Sequence, residues 1–195
     1  MKHLKPFLLL GICFLTIFSL SNCSAQKASS ASGKKTGSNG GTVVYLVRHA
    51  EKAPSSGAMT DDPDLSEAGL KRTEALKTQL ASAPIAAFFA TKYKRTQQTL
   101  APLASAKKQT VQLYEVKDNA ALVQKIKQEY PGKTVVVAGH SNTLLPLVEA
   151  FGGTKPFAEI ADHQYDYLFK VTLQEGKAPL VDVQKYGAAS VAPAN

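Results

Sequence analysis

The sequence predicts an α/β fold: a three-layer sandwich with a mostly parallel central sheet, helices on both faces and a closing antiparallel hairpin. Three observations predict it. Apolar, β-branched runs of five or six residues recur along the chain, as expected of strands buried on both faces. Stretches with helical spacing alternate with these runs, which is the pattern of a parallel sheet covered by helices. The last two strand-like runs are joined across Glu175-Gly176 with no helix between them, so they pair antiparallel.

The first strand is Thr42-Val-Val-Tyr-Leu-Val47, and Ile85 to Ala90, Thr110 to Tyr114 and Thr134 to Ala138 are similar runs. Ser66 caps a helix running through Leu70, Ala75, Leu76 and Leu80, because its hydroxyl can accept from a free N–H of the first turn. Asp118 caps another that carries Leu122, Val123 and Ile126. Arg95 to Leu103 and Asn142 to Phe151 read as two more, the second stopped by Gly152-Gly153. Tyr165 to Leu173 and Leu180 to Tyr186 form the closing pair. The folded domain is placed at 42–187, with 188–195 as a tail.

Upstream of the domain the composition changes. Lys2, His3 and Lys5 precede an apolar run from Phe7 to Leu20, and small residues follow. A charged start, a short apolar stretch and a small-residue site describe an export signal, here residues 1–22. A membrane span needs about 20 apolar residues, so the run is short for one. Leu20-Ser21-Asn22-Cys23 resembles a bacterial lipobox, in which Cys23 is lipidated and becomes the new N-terminus. The alternative is cleavage after Ala25. Residues 23–41 are rich in Ser, Gly, Ala and Lys, a composition suited to a flexible tether. The expected location is the periplasmic side of a bacterial membrane as a lipoprotein, or, under the alternative, soluble in the periplasm or secreted.

The two cysteines, Cys13 and Cys23, both precede the domain. The domain therefore has neither a disulfide nor a thiol nucleophile. The formal net charge is +8, but five of the lysines (Lys2, Lys5, Lys27, Lys34, Lys35) lie in the signal and tether. The rest are scattered, with no basic run, so nucleic acid is not the expected partner. A mild attraction for anionic substrates is.

Chemistry concentrates at the carboxyl ends of the strands, where open α/β sheets bind ligands. Arg48-His49-Ala50-Glu51 follows the first strand, and Gly139-His140-Ser141-Asn142 follows the fourth. Thr91 to Thr99 leaves the second strand and enters a helix. Gly-His-Ser could be a serine nucleophile elbow, but that turn needs Gly two residues after the serine and Thr143 stands there. The chain has twenty Lys and only three Arg, and two of these, Arg48 and Arg95, fall at strand ends. Arg grips phosphate oxygens with two parallel bonds, which Lys cannot do. His49 and His140 join them, while His163 reads as a surface residue.

Four motifs in order, Leu46-Val47-Arg48-His49-Ala50-Glu51, Leu65-Ser66-Glu67-Ala68-Gly69, Arg95-Thr96-Gln97-Gln98-Thr99 and Gly139-His140-Ser141-Asn142-Thr143, resemble the histidine phosphatase, or phosphoglycerate mutase-like, superfamily. Tyr165-Asp166-Tyr167-Leu168-Phe169 and Tyr186-Gly187 are similar to its ending. The resemblance implies the phosphoglycerate mutase-like sandwich and a compact hydrolase acting without metal or cofactor. By it, His49 attacks phosphorus, Arg48 and Arg95 clamp the equatorial oxygens, His140 completes the pocket, and Asn142 lies at the phosphate-binding helix start. Glu115 best matches the leaving-group acid, with Asp64 and Asp118 as rivals, Asp118 also reading as a cap. The implied partner is a phosphorylated small molecule or phosphoprotein. Two alternatives remain: a mutase, for which the 45 positions between Arg95 and His140 leave little room for a substrate cap, and a phosphate-binding module without turnover.

Overall fold

The computed structural model describes residues 41–54, 57 and 62–192. The export signal, the tether up to residue 40 and Cys23 lie outside these residues. The domain runs β1 (Thr42–Arg48), α1 (Glu67–Gln79), β2 (Ile85–Ala90), α2 (Lys94–Ala106), β3 (Val111–Leu113), α3 (Asn119–Glu129), β4 (Thr134–Gly139), α4 (Ser141–Ala150), β5 (Tyr167–Leu173) and β6 (Leu180–Lys185). The six strands form one sheet in the order β3-β2-β4-β1-β5-β6. The first four of that order are mutually parallel, and β5 runs antiparallel to both β1 and β6. The expected three-layer sandwich with a closing hairpin is the fold observed.

Strand periodicity divides the core into two layers. Val44 and Leu46 of β1, Ala87 and Phe89 of β2, and Val135 and Val137 of β4 pack with Leu122, Val123 and Ile126 of α3 and with Leu144, Leu147 and Val148 of α4. Their neighbours Val47, Phe88, Ala90, Val136 and Ala138 pack with Leu76 of α1 and with Leu100 and Leu103 of α2. Alternate side chains of a strand leave opposite faces, so an unbroken apolar run is what a sheet covered on both sides requires.

Helix starts follow the sequence. Ser66 Oγ accepts from Gly69 N at 3.1 Å, and Asp118 Oδ1 accepts from Ala121 N at 2.9 Å. One strand begins later than its sequence suggests. Tyr165 was expected to open the closing pair, yet β5 starts at Tyr167. The Tyr165 N–H is taken by Ser190 Oγ at 2.8 Å instead of by the ladder. Ser190 N in turn donates to Asp166 Oδ2 at 3.2 Å, so the first residues after Gly187 are tied to the domain.

The connection after β1 is fixed by close approach to α1. The Glu51 carbonyl accepts from Ser66 N at 2.9 Å and from Ser66 Oγ at 3.2 Å. A Cβ added at Gly69 would overlap that same carbonyl oxygen and stand 3.1 Å from its carbon. Gly inside a helix normally costs stability relative to Ala, so the sign should invert here. Gly69→Ala is expected to destabilise the fold by about 1–3 kcal/mol. A thermal unfolding midpoint equal to or above wild type would contradict this account of the contact.

Candidate active site

The sheet places the site. In the sheet order β4 lies between β1 and β2, and the helices following β1 and β4 lie on opposite faces. A crevice opens where neighbouring parallel strands send their connections to opposite sides. β1 and β4 pair with Arg48 opposite Gly139, and His49 N donates to Gly139 O at 2.9 Å. His49 and His140 thus leave the sheet side by side, with ring centroids 5.4 Å apart and planes crossed at 63°.

His49 is buried, with 6% exposure. Its Nδ1 lies 2.9 Å from Ala50 O. A carbonyl can only accept, so Nδ1 carries the proton and Nε2 keeps its lone pair. The loop is clipped onto α2, because Ala50 N donates to Thr99 Oγ1 at 2.9 Å and Thr99 Oγ1 donates to Arg95 O at 2.7 Å. His140 is oriented by a hydroxyl chain. Thr96 Oγ1 donates to the carbonyls of Tyr93 and Thr91, at 2.7 and 3.1 Å. Thr91 Oγ1, 2.8 Å away, must therefore donate to Thr96. It is left to accept from His140 Nε2 at 3.1 Å. The neutral ring is then protonated at Nε2, leaving Nδ1 unprotonated.

The two arginines are held in different ways. Three carbonyls converge on Arg48 Nη1: Ala161 at 3.0 Å, Asp162 at 2.9 Å and Gln164 at 3.0 Å. The Tyr165 ring lies against the guanidinium, 4.1 Å from Cζ to centroid. Arg48 Nε is buried and has no hydrogen-bond partner among the described residues. Arg95 is half-buried; its Nη1 contacts Asp62 Oδ1 at 3.3 Å, and its Cζ is 4.4 Å from the Tyr93 ring centroid. Asp62 is itself fixed, with Oδ2 accepting from Lys94 N at 2.9 Å.

This positive, dry setting depresses both histidines. His49 is lowered to about 3, first by burial and then by the charges of Arg48 and Arg95 with His140, although the Ala50 carbonyl pulls the other way. His140 is lowered to about 4, by burial first and then by Arg95 and Arg48, with Asp62 opposing. Both rings are neutral at pH 7 in the free protein.

The structure thus brings together Arg48, His49, Arg95 and His140. Glu115 and Asn142 are exposed, and neither hydrogen-bonds to those four. Asp64 is engaged elsewhere, with Oδ1 accepting from Gln98 Nε2 at 2.8 Å, and Asp118 is the cap of α3. The His140 ring turns to Thr91 rather than to Ser141, and among the described residues no histidine bonds the Ser141 hydroxyl. No group of three or more His, Cys, Asp or Glu among the described residues is placed to hold a metal ion.

Sequence reasoning missed four contributors. Asp62, Tyr93 and Tyr165 reach the site through contacts that no local pattern encodes. The third arginine, Arg72, is buried behind the site. Its Nε donates to Glu51 Oε1 and Oε2 at 3.0 and 2.9 Å, and its Nη2 to Oε1 at 2.7 Å. Nη1 donates to Tyr186 O at 2.9 Å, and Nη2 also to Ala188 O at 3.0 Å. The scarcity of Arg was the available signal: none of the three is spent on open surface.

Residues 44–118 match the family model described as histidine phosphatase superfamily (branch 1). No curated protein sequence matches the chain significantly. Among solved structures, the chain is similar to the protein histidine phosphatase SixA complexed with tungstate. That pair has 19% identity and a TM-score of 0.58, covering 73% of this chain and 96% of that one. A phosphoserine phosphatase from Entamoeba histolytica has 13% identity and a TM-score of 0.55, with 76% and 98% covered. A mycobacterial glucosyl-3-phosphoglycerate phosphatase has 10% identity and a TM-score of 0.58, with 75% and 99% covered. The match over residues 44–118 and the four motifs carry one resemblance, to the histidine phosphatase superfamily, and the fold is that of these solved structures.

Proposed function

We propose that the protein hydrolyses phosphomonoesters or phosphoramidates through a phosphohistidine on His49. One observation carries the reading. Arg48 is anchored through Nη1, and its buried Nε is without a described partner, beside an imidazole whose Nε2 lone pair is available. Nε and Nη2 form the side of the guanidinium that suits two oxygens of one phosphate. Arg95 binds a further oxygen, drawn partly from Asp62. His140 takes the phosphoryl group from its Nδ1 side, and the first turn of α4, with Asn142, adds its unpaired N–H groups.

His49 Nε2 attacks phosphorus in line, forming the N–P bond as the bond to the leaving group breaks. The leaving group takes its proton from Glu115 or, where its own basicity is low, departs without one. Water then attacks phosphorus, the N–P bond breaks, and phosphate leaves with the lone pair restored to Nε2. Two guanidinium groups supply the positive charge that phosphoryl transfer needs, so this route calls for no metal or cofactor. A hydrolase is preferred to a mutase because only the rest of α2, then β3, α3 and β4, fill the stretch between Arg95 and His140, with no added substrate cap. The three similar structures named above are of proteins called phosphatases, which supports the same preference.

His49→Ala should abolish aryl phosphate hydrolysis and incorporation of an acid-labile phosphoryl group, with unfolding unchanged or nearly so. Wild-type turnover in that variant would end the reading, and stoichiometric phosphate binding without turnover in the wild type would favour a binding module. Arg48→Lys is expected to lower kcat/KM by about 100-fold or more. Glu115→Gln should slow alkyl phosphates and spare aryl ones; equal effects on both would remove Glu115 from the proton-donor role.

The depressed histidines fix the pH dependence. Activity per dianionic substrate should persist well below pH 6.5 and fall only toward about pH 3, as the nucleophile His49 becomes protonated. An acid limb in kcat/KM near 6.5, after correction for substrate ionisation, would show that the rings are not held neutral. Stability moves in the same direction. The unfolded chain binds protons below pH 6.5 that the fold refuses, so the unfolding midpoint should drop as pH falls from 6.5 toward 4.

On sequence grounds we also propose that Cys23 is lipidated and holds the domain at a membrane. The tether from Ser24 to Gly41 has eighteen residues, a typical span of about 20–25 Å. Cys23→Ala should move activity from the membrane fraction to the soluble one or leave an uncleaved precursor. Unchanged processing and distribution would instead favour cleavage after Ala25.

A further inference from the structure

Four rings form an arc across the strand ends. Tyr165 lies 6.0 Å from His49, His49 lies 5.4 Å from His140, and His140 lies 5.3 Å from Tyr93, centroid to centroid. Each tyrosine also lies against one arginine, Tyr165 against Arg48 at 4.1 Å and Tyr93 against Arg95 at 4.4 Å. Both tyrosines are only partly buried, and neither hydroxyl has a hydrogen-bond partner among the described residues. A phosphoryl group held between the arginines and against His49 is therefore flanked at both ends by phenol rings.

We propose that Tyr93 and Tyr165 are specificity-determining residues that select phosphoryl groups carried on a planar ring. The inference rests on the phosphohistidine reading of the same pocket and adds the class of leaving group. Ring edges and faces attract other rings through their quadrupoles, beyond simple burial of area. A saturated ring or a polyol of the same size gains burial but not that geometry. The positive charge of Arg48 and Arg95 further favours an electron-rich ring nearby. Aryl esters and phosphorylated imidazole share this planar chemistry. In addition, a phenolate or an imidazole is a weaker base than an alkoxide, so it needs less proton donation. That agrees with the exposed, unengaged position of Glu115.

The test uses two non-hydrolysable competitors of equal charge and similar size, benzylphosphonate and cyclohexylmethylphosphonate. Benzylphosphonate is expected to inhibit the wild-type protein about 3- to 10-fold more tightly. That preference should fall to about 1 in the variant carrying Tyr93→Leu and Tyr165→Leu, and persist in the variant carrying Tyr93→Phe and Tyr165→Phe. Loss of the arginine supports alone would weaken both competitors together and leave their ratio unchanged. Equal inhibition of the wild type, or a ratio that survives in the leucine variant, overturns the proposal. The wild-type comparison decides even if the leucine variant fails to fold. Orthovanadate separates the two levels. If it does not inhibit the wild type, the phosphate pocket itself is refuted; if it inhibits while the phosphonates bind alike, only the ring selection is. Turnover of a phosphotyrosine peptide and a phosphohistidine peptide then shows which planar group is used, a larger loss in the leucine variant on either one supporting the proposal.

Discussion

The pairing of β1 with β4 is the constraint on which the site depends. Once Arg48 stands opposite Gly139 and His49 N is bonded to Gly139 O, the two histidines must emerge together although 91 positions separate them. A one-residue slip would turn each strand's side chains to the opposite face and bury the wrong half of two apolar layers. Register is therefore enforced by the whole core, by Val44 and Leu46 on one side and Val47 on the other. The geometry of the candidate site is in this sense a by-product of packing.

Around that frame a second set of contacts fixes the loop carrying His49. Arg72 grips the Glu51 carboxylate with three close bonds and reaches the carbonyls of Tyr186 and Ala188 with the rest of its fork. A buried ion pair contributes little net stability unless its hydrogen bonds are well satisfied. Here the guanidinium spends donors on both carboxylate oxygens and on two carbonyls. The pair links the loop after β1, helix α1 and the chain beyond β6, elements that no stretch of sheet joins. Gly69 allows α1 to come close enough for this, and Thr99 closes the other side through Ala50 N.

Much of the fold was legible because its signals are local or periodic. Strands buried on both faces read as unbroken apolar runs, and the caps Ser66 and Asp118 announce helices whose first N–H groups they accept. The four site residues were legible for a different reason: Arg is scarce, and it and His fall just past strand ends. What could not be read depends on distance along the chain. The carbonyl of Asp162 reaches Arg48 across 114 positions and Thr91 reaches His140 across 49, and nothing in either segment advertises the contact. Thr91 illustrates the limit, since a hydroxyl at a helix start usually serves the backbone, and here it sets a histidine tautomer. Glu115 shows the converse: its position after a strand was legible, but a strand end does not dictate where a side chain turns.

The two arginines divide one electrostatic task. Arg48 is fixed by three carbonyls and a ring, so its orientation is settled before any ligand arrives, and little reorganisation is needed on binding. Arg95 is held by a carboxylate, so in the proposed reaction an incoming phosphate must compete with Asp62 for it. Burial first, and the same two charges after it, keep His49 and His140 neutral in the free protein. In the proposed reaction a phosphoryl dianion offsets that field as it enters. His140 is the ring that can respond, because its Nε2–H is committed to Thr91 and its Nδ1 is free to take a proton and donate it to a phosphoryl oxygen. His49 cannot respond in the same way once Nε2 is bonded to phosphorus. Substrate charge thus prepares its own second hydrogen-bond donor, while the nucleophile stays unprotonated until it is used.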